Sequence, residues 1–184
     1  MSKILGIVTV AAVATLALAV SAKAVRFTLT SPSLIEGGIV PNAHVYRGYG
    51  YNGENRSPQL SWSGAPPGTK SFAVTVHDPD APRPGGWWHW LVFDIPATGT
   101  GLPEAAGNGA GLPPGAIESV TDFGSPGYGG PAPPPGRPHR YVFTVYALKV
   151  AKLGLTSTAA PAVVDAAIRK YRLAEASITA KFGK

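Results

Sequence analysis

Cysteine is absent from all 184 residues, methionine occurs once, and charged residues make up only 14% of the chain. Without cysteine there is no disulfide framework, no zinc ribbon and no thiol nucleophile. Lys and Arg number 16 against 10 Asp and Glu, a formal charge of +6. No run of basic residues exists, which excludes the concentrated cationic footprint of a nucleic-acid-binding protein. The balance that remains suggests a mild preference for anionic ligands. Long apolar runs are also lacking, apart from one at the start.

That run, Ile4 to Val20, follows a lone Lys3 and ends in Ala22-Lys23-Ala24. A charged n-region, an apolar h-region and a small-residue cleavage site form the pattern of a secretory signal peptide, cut after Ala24. The alternative is a retained membrane anchor, but the run is Ala-rich and at the short end of the spanning range. Cleavage predicts a periplasmic or secreted protein with no stable membrane insertion. Residues 25–184 then form one domain of 160 residues with a charge of +4, long enough to bury a core without staples.

Gly (23) and Pro (19) fall in clusters between short runs rich in Val, Phe, Tyr and Trp, which argues against disorder. Strands are predicted at Val25–Thr30, Gln59–Trp62, Ser71–Val76, Trp88–Ile95 and Arg140–Leu148. Continuous apolarity in the last three predicts burial on both faces. Ala159 to Arg172 carries Val164, Ala167, Ile168 and Tyr171 at helical spacing, with Pro161 suited to a first turn. Ser177 to Phe182 alternates as a closing strand. The fold class is mainly β and sandwich-like, with a peripheral helix late in the chain. Ala97–Gly115 and Phe123–Arg137 read as long irregular loops.

Two short patterns mislead. Gly48-Tyr49-Gly50-Tyr51-Asn52-Gly53 matches G-x-G-x-x-G, but Glu54 to Pro58 cannot open the helix that would receive a phosphate. Asp122-Phe123-Gly124 mimics a kinase triplet without the strand lysine or catalytic loop that must accompany it.

The densest chemistry lies in HDPDAPRPGGWWHW, His77 to Trp90. Prolines stiffen the segment after Asp78 and Asp80, and in extended backbone residues two apart share a face, which would bring the carboxylates together. A short link then returns the chain to His89. A second segment, Gly127 to Leu148, pairs a Gly/Pro loop, able to offer backbone N–H groups to an anion, with a strand on which His139 and Tyr141 share a face. A pocket joining Asp78, Asp80, His89, His139 and Tyr141 near Gly130 would offer imidazolium, phenol and backbone donors to phosphate or sulfate. The carboxylates would orient His89 and raise its pKa, or meet a ligand amino group. Tryptophans would supply an apolar wall. His44 and His77 read as structural or surface positions.

Asp78-Pro79-Asp80-Ala81-Pro82 with Trp88-His89-Trp90, and Gly130 to Gly136 with His139-Arg140-Tyr141, resemble the motifs of the phosphatidylethanolamine-binding protein family. The nearer likeness is to its bacterial Raf-kinase-inhibitor-like branch. Tyr51 to Pro58, Pro66 to Ser71 and Thr121 to Gly124 support the likeness. It implies a Greek-key β-sandwich with one or two short peripheral helices. It also implies a stiff pocket, often with cis peptide bonds beside proline, that binds phosphate, phosphorylethanolamine or similar groups without a cofactor or metal. Its lining would be Asp78, Asp80, His89, Gly130, His139 and Tyr141. The linker before Trp88 is shorter than in mammalian members, and Ala132 adds spacing to the Pro-rich loop.

Three function classes are open to such a chain. The first is a non-enzymatic exported protein binding a small anionic or phosphorylated ligand. The second is an interaction module whose protein target is a kinase or protease. The third is a hydrolase using Asp78, Asp80, His89 and His139 as metal ligands or as acid and base. The third lacks a nucleophile elbow and an H-E-x-x-H helix.

Overall fold

Three long strands with apolar side chains on both faces organise the molecule. The computed structural model describes residues 26–107 and 111–183; the expected leader, 1–24, lies outside them. In chain order the elements are β1 (Thr28–Thr30), a 3-10 turn (Asn42–His44), β2 (Arg47–Gly48), β3 (Tyr51–Asn52), β4 (Leu60–Ser63), β5 (Ser71–Asp78) and β6 (Trp87–Pro96). They continue with β7 (Gly101–Leu102), β8 (Ile117–Glu118), β9 (His139–Leu148), α1 (Pro161–Tyr171) and β10 (Arg172–Phe182). An antiparallel sheet runs β10-β9-β5-β6-β8, and a smaller one runs β1-β4-β7. Within the larger sheet the order β9-β5-β6-β8 is the fourth-first-second-third arrangement of a Greek key.

The face of β5, β6 and β9 that carries Phe72, Val74, Val76, Val92, Ile95, Phe143 and Val145 packs on the small sheet, through Leu29, Leu60, Trp62 and Leu102. Their other face carries Ala73, Leu91, Phe93 and Leu148 and is covered by Val164 and Ile168 of α1. Double burial accounts for the continuous apolar runs, as expected of strands covered on both sides. The helix begins at Pro161, whose missing N–H is harmless in a first turn. Its C-terminal residue leads directly into β10, which is longer than the sequence predicts because Arg172 to Ala176 extends the pairing with β9.

Other details are local. The Gly-rich segment at Gly48 is a hairpin turn between β2 and β3 and, as expected, opens no helix. The loop expected over Ala97–Gly115 contains β7. Strands of two residues carry too little periodicity to be seen in sequence.

Two irregularities interrupt the β5–β6 pairing. Val76 pairs with Trp90 and His77 with Trp88, so His89 is an extra residue, a β-bulge; Val74 pairs with Val92 and Phe72 with Ile95, which marks a second bulge at Phe93–Asp94. Asp94 adopts φ +58 there and accepts the Leu153 N–H at 2.8 Å, tying the bulge to the loop before α1. The short return from β5 to β6 needs Gly86, with φ +73, since a Cβ there would meet Asp78 O at 2.3 Å.

Truncating the helix contact tests this packing. Ile168, buried under α1, should lower the unfolding free energy by about 2–5 kcal/mol when changed to Ala. Val163→Ala on the same helix, half exposed, should stay within about 0.5 kcal/mol. Urea denaturation of both variants measures the difference.

Candidate functional site

Inward-facing residues at one end of the large sheet do not meet core. Asp78 continues the inward face of β5, His139 and Tyr141 begin that of β9, and Trp87 and His89 lie at the start of β6. Together with Phe123, Tyr49, Pro82 and the Pro-rich loop at Ala132–Pro134, they enclose a cavity of about 190 Å³. The bulge explains the presence of His89. Trp90 and Val92 face the sandwich core, so uninterrupted alternation would turn His89 to the opposite face. One inserted residue resets the phase and places His89 and Trp90 both inward.

The two acids separate. Asp78 is buried. Its Oδ2 accepts the His139 Nδ1–H at 2.8 Å and its Oδ1 accepts the Asp80 backbone N–H, also at 2.8 Å. Asp80 turns away from the cavity. Its Oδ2 takes both the Arg140 backbone N–H and Arg140 Nε–H at 2.9 Å, and its Oδ1 takes Arg140 Nη2 at 2.9 Å. The expectation that both carboxylates share a face therefore fails. Asp80 lies in a turn beyond the end of β5, where the period of two no longer applies. The Arg140 guanidinium holds the Asp80 carboxyl far below the usual carboxylate range, against the opposing effect of desolvation.

Gly130 is also outside the cavity wall. Its N–H donates to Asn55 Oδ1 at 2.8 Å, so it is not free for an anion. A Cβ there would meet His44 O at 2.2 Å and Tyr46 N at 2.6 Å; the residue is glycine because two chain segments touch at that point. The adjoining Pro-rich loop is anchored from β3 by Tyr51 Oη, which donates to Pro133 O at 2.7 Å, and by Tyr46 N, which donates to Pro131 O at 3.1 Å. No cis peptide bond occurs among the described residues. Stiffness here comes from proline, these anchors and close packing. His44 is structural, bonded to Arg56 O and Ser33 Oγ, and His77 stacks on Trp88 at 4.2 Å.

His89 donates from Nδ1 to Gly129 O at 2.7 Å and meets Phe123 and Tyr141 edge-on at 5.3 and 5.1 Å. The expected upward pKa shift is reversed. Burial pushes the imidazole down to about 4, outweighing Gly129 O and the Asp78 charge, so the ring is neutral at physiological pH. Tyr141 is pushed up, first by burial and then by the Asp78 charge, and keeps its proton. Its Oη and Trp87 Nε1 are buried with no hydrogen-bond partner, and Nε2 of His89 and of His139 have none among the described residues. Two buried donors, Tyr141 O–H and Trp87 N–H, are thus unsatisfied in one small, largely carbon-lined space, and the two Nε2 atoms belong to residues that line it with them. Among the described residues no grouping of three His, Asp or Glu is arranged to hold a metal ion.

Trp87 and the loop at Ala132–Pro134 line the cavity as the expected tryptophan wall and Gly/Pro loop, whereas Phe123 and Tyr49 are wall residues that the sequence does not single out. Trp87 is within reach of sequence reasoning, since it lies two residues from His89 on an extended strand. Phe123 and Tyr49 carry no local signal, because they arrive from loops distant in the chain.

A Greek-key sandwich with a small cavity built at its strand ends defines a ligand-binding or interaction module. The sequence model of the phosphatidylethanolamine-binding protein family matches residues 30–183. UPF0098 protein YbhB of Escherichia coli K12 is 47% identical over 155 residues, covering 84% of this chain and 98% of the relative. YbcL of the same organism is 49% identical over 162 residues, covering 86% and 88%. A crystal structure of E. coli YbcL, described as a new member of the mammalian PEBP family, superposes with a TM-score of 0.84 at 47% identity, covering 86% of this chain and 98% of that one. The Chlamydia trachomatis PEBP homologue CT736 gives 0.73 at 29% identity, covering 87% and 99%. The chain belongs to the phosphatidylethanolamine-binding protein family.

Asp80 offers a test by pH. Its folded pKa lies below the ordinary 3.8, so its contribution to stability is complete at neutral pH, begins to fade below that ordinary value and is lost as pH falls through the lower folded pKa. The urea midpoint of Asp80→Asn should lie below that of the parent near pH 7 and approach it below about pH 3. A gap that stays constant with pH would contradict the assignment.

Proposed function

We propose that the cavity is a binding site for a small phosphate-like group, and that the protein works by binding rather than by catalysis. The two buried, unpartnered donors, Tyr141 O–H and Trp87 N–H, carry this reading. Buried polar groups in native proteins almost always have partners, and each exception calls for an explanation. Tyr141 O–H and Trp87 N–H are donors, whereas the Nε2 atoms accept when neutral and donate when protonated. A tetrahedral oxyanion presents acceptors in several directions, and as a hydrogen phosphate it also brings a donor. Each Asp78 oxygen already accepts a hydrogen bond, from His139 and from the Asp80 amide.

Binding should draw a proton onto His89. An anion favours the imidazolium, so the ring's pKa of about 4 in the free protein must rise in the complex. By linkage, affinity increases as pH falls through the bound pKa and levels off below about 4. Sulfate, which stays a dianion across this range, isolates the effect. Histidine NMR should show saturable shifts at His89 with sulfate, phosphate and phosphorylethanolamine, with sulfate affinity about tenfold or more higher near pH 5 than near pH 7. His89→Ala with the fold intact should abolish the response. Absence of any shift up to tens of millimolar ligand would move the reading to the interaction module. One feature favours that second reading: Tyr49 is 73% exposed at the cavity mouth, held at φ +51, a surface able to meet a protein target such as a kinase or protease.

We place the protein's work outside the cytoplasm, in the periplasm or beyond the cell. Lys3, the apolar run Ile4 to Val20 and Ala22-Lys23-Ala24 motivate this. Edman sequencing of the protein recovered from an expressing bacterium should begin at Val25. A recovered chain that begins at Met1 or Ser2 would count against export.

A further inference from the structure

Phe123 stands between two cavities. It lines the space around His89 and also a second cavity of about 140 Å³. The chemistry of the second space is different. No Lys, Arg, His, Asp or Glu lines it; Tyr46, Asn55, Thr121 and Ser125 give it hydroxyl and amide groups, and glycine backbone completes the wall. Asn55 is already engaged, donating to Tyr128 O and accepting from Gly130 N–H. So is Thr121, which donates to Ser125 O and accepts from Phe123 N–H. The Tyr46 and Ser125 hydroxyls have no hydrogen-bond partner among the described residues. They are donors and acceptors without a task in the folded chain.

Phe123 is the one residue common to both linings. The backbone beneath it is fixed, since Asp122 exchanges hydrogen bonds with Trp88 through its N–H and Oδ2 and Gly124 N–H closes the turn onto Thr121 O. The ring itself is held only by contacts. It stacks on Tyr46 at 4.8 Å and meets Trp87 and His89 edge-on at 5.4 and 5.3 Å. Such contacts can be exchanged for others as the side chain turns between rotamers, without breaking a hydrogen bond.

We propose that the two cavities are compartments of one site, joined when the Phe123 ring rotates. Resting on the anion-binding reading, the front compartment takes the phosphate and the rear one takes an uncharged, hydroxyl-bearing substituent. The ligand class is then a phosphate monoester of a short neutral polyol. A substituent carrying a positive charge gains nothing in the rear, where no carboxylate lines the wall.

Calorimetric titration of the whole chain with inorganic phosphate, glycerol 3-phosphate and phosphorylethanolamine tests this. The parent should bind glycerol 3-phosphate at least about fivefold more tightly than inorganic phosphate, and more tightly than phosphorylethanolamine. The double variant Tyr46→Phe with Ser125→Ala breaks no hydrogen bond of the folded chain, so it should fold normally. It should lose the polyol advantage while its affinity for inorganic phosphate is unchanged. Phe123→Ala should speed association of the ester. A parent that prefers inorganic phosphate or phosphorylethanolamine, or an advantage that survives the double variant, overturns the rear compartment and leaves the anion reading standing. No saturable response to any of the three probes removes both.

Discussion

The hydrogen bond between Asp78 and His139 joins the end of β5 to the beginning of β9, and the geometry of the cavity depends on it. Both residues are buried. Removing either partner would leave the other polar group without its counterpart in a poorly solvated place, which is costly. The adjacent residues repeat the connection outside, where Asp80 grips Arg140 through main chain and side chain. Two consecutive strand ends are therefore fastened at successive levels, once within the protein and once at its surface. The inner fastening also fixes where the Asp78 charge sits, and that charge acts on both His89 and Tyr141.

What surrounds that bond is rigid for reasons that differ from place to place. The Pro-rich loop has few amide donors and is held by Tyr51 and by Tyr46 N–H. Gly130 brings its backbone against the segment at His44–Tyr46 more closely than any side chain would allow. The β6 bulge adds one residue and so places a histidine where alternation would place none. The result is a space whose polar atoms are set in advance of any ligand, and preorganisation of this kind reduces the ordering that binding requires. The desolvation that keeps His89 neutral has the same origin, namely aromatic rings packed on both its sides.

Much of this is legible in the chain. The long strands, the helix from Pro161 and the double burial of β5, β6 and β9 follow from runs of Val, Phe and Leu between Gly/Pro clusters. His139 and Tyr141 share a face as their spacing predicts, because both sit within a regular strand. The same rule fails for Asp78 and Asp80, because the strand ends at Asp78 and a turn comes next. Gly130 belongs to the motif that supplies the Pro-rich loop, but its amide has a nearer acceptor in Asn55 than any anion in the cavity. His89 reaches the cavity through a bulge that no periodicity reveals, and its pKa moves opposite to the direction its acidic neighbours suggest. Neighbouring charge can be read from sequence; depth of burial cannot.

By itself the sequence determined the family, the mainly β class and which segments carry the chemistry, since periodicity, turn residues and motif spacing are local properties. Tertiary structure alone decided which acid faces the cavity and which faces Arg140, that the imidazole of His89 is uncharged, and that Phe123 lines two cavities. Each of these depends on a register shift or on desolvation by residues far away in the chain. Such effects arise only when strands are laid side by side and water is excluded between them.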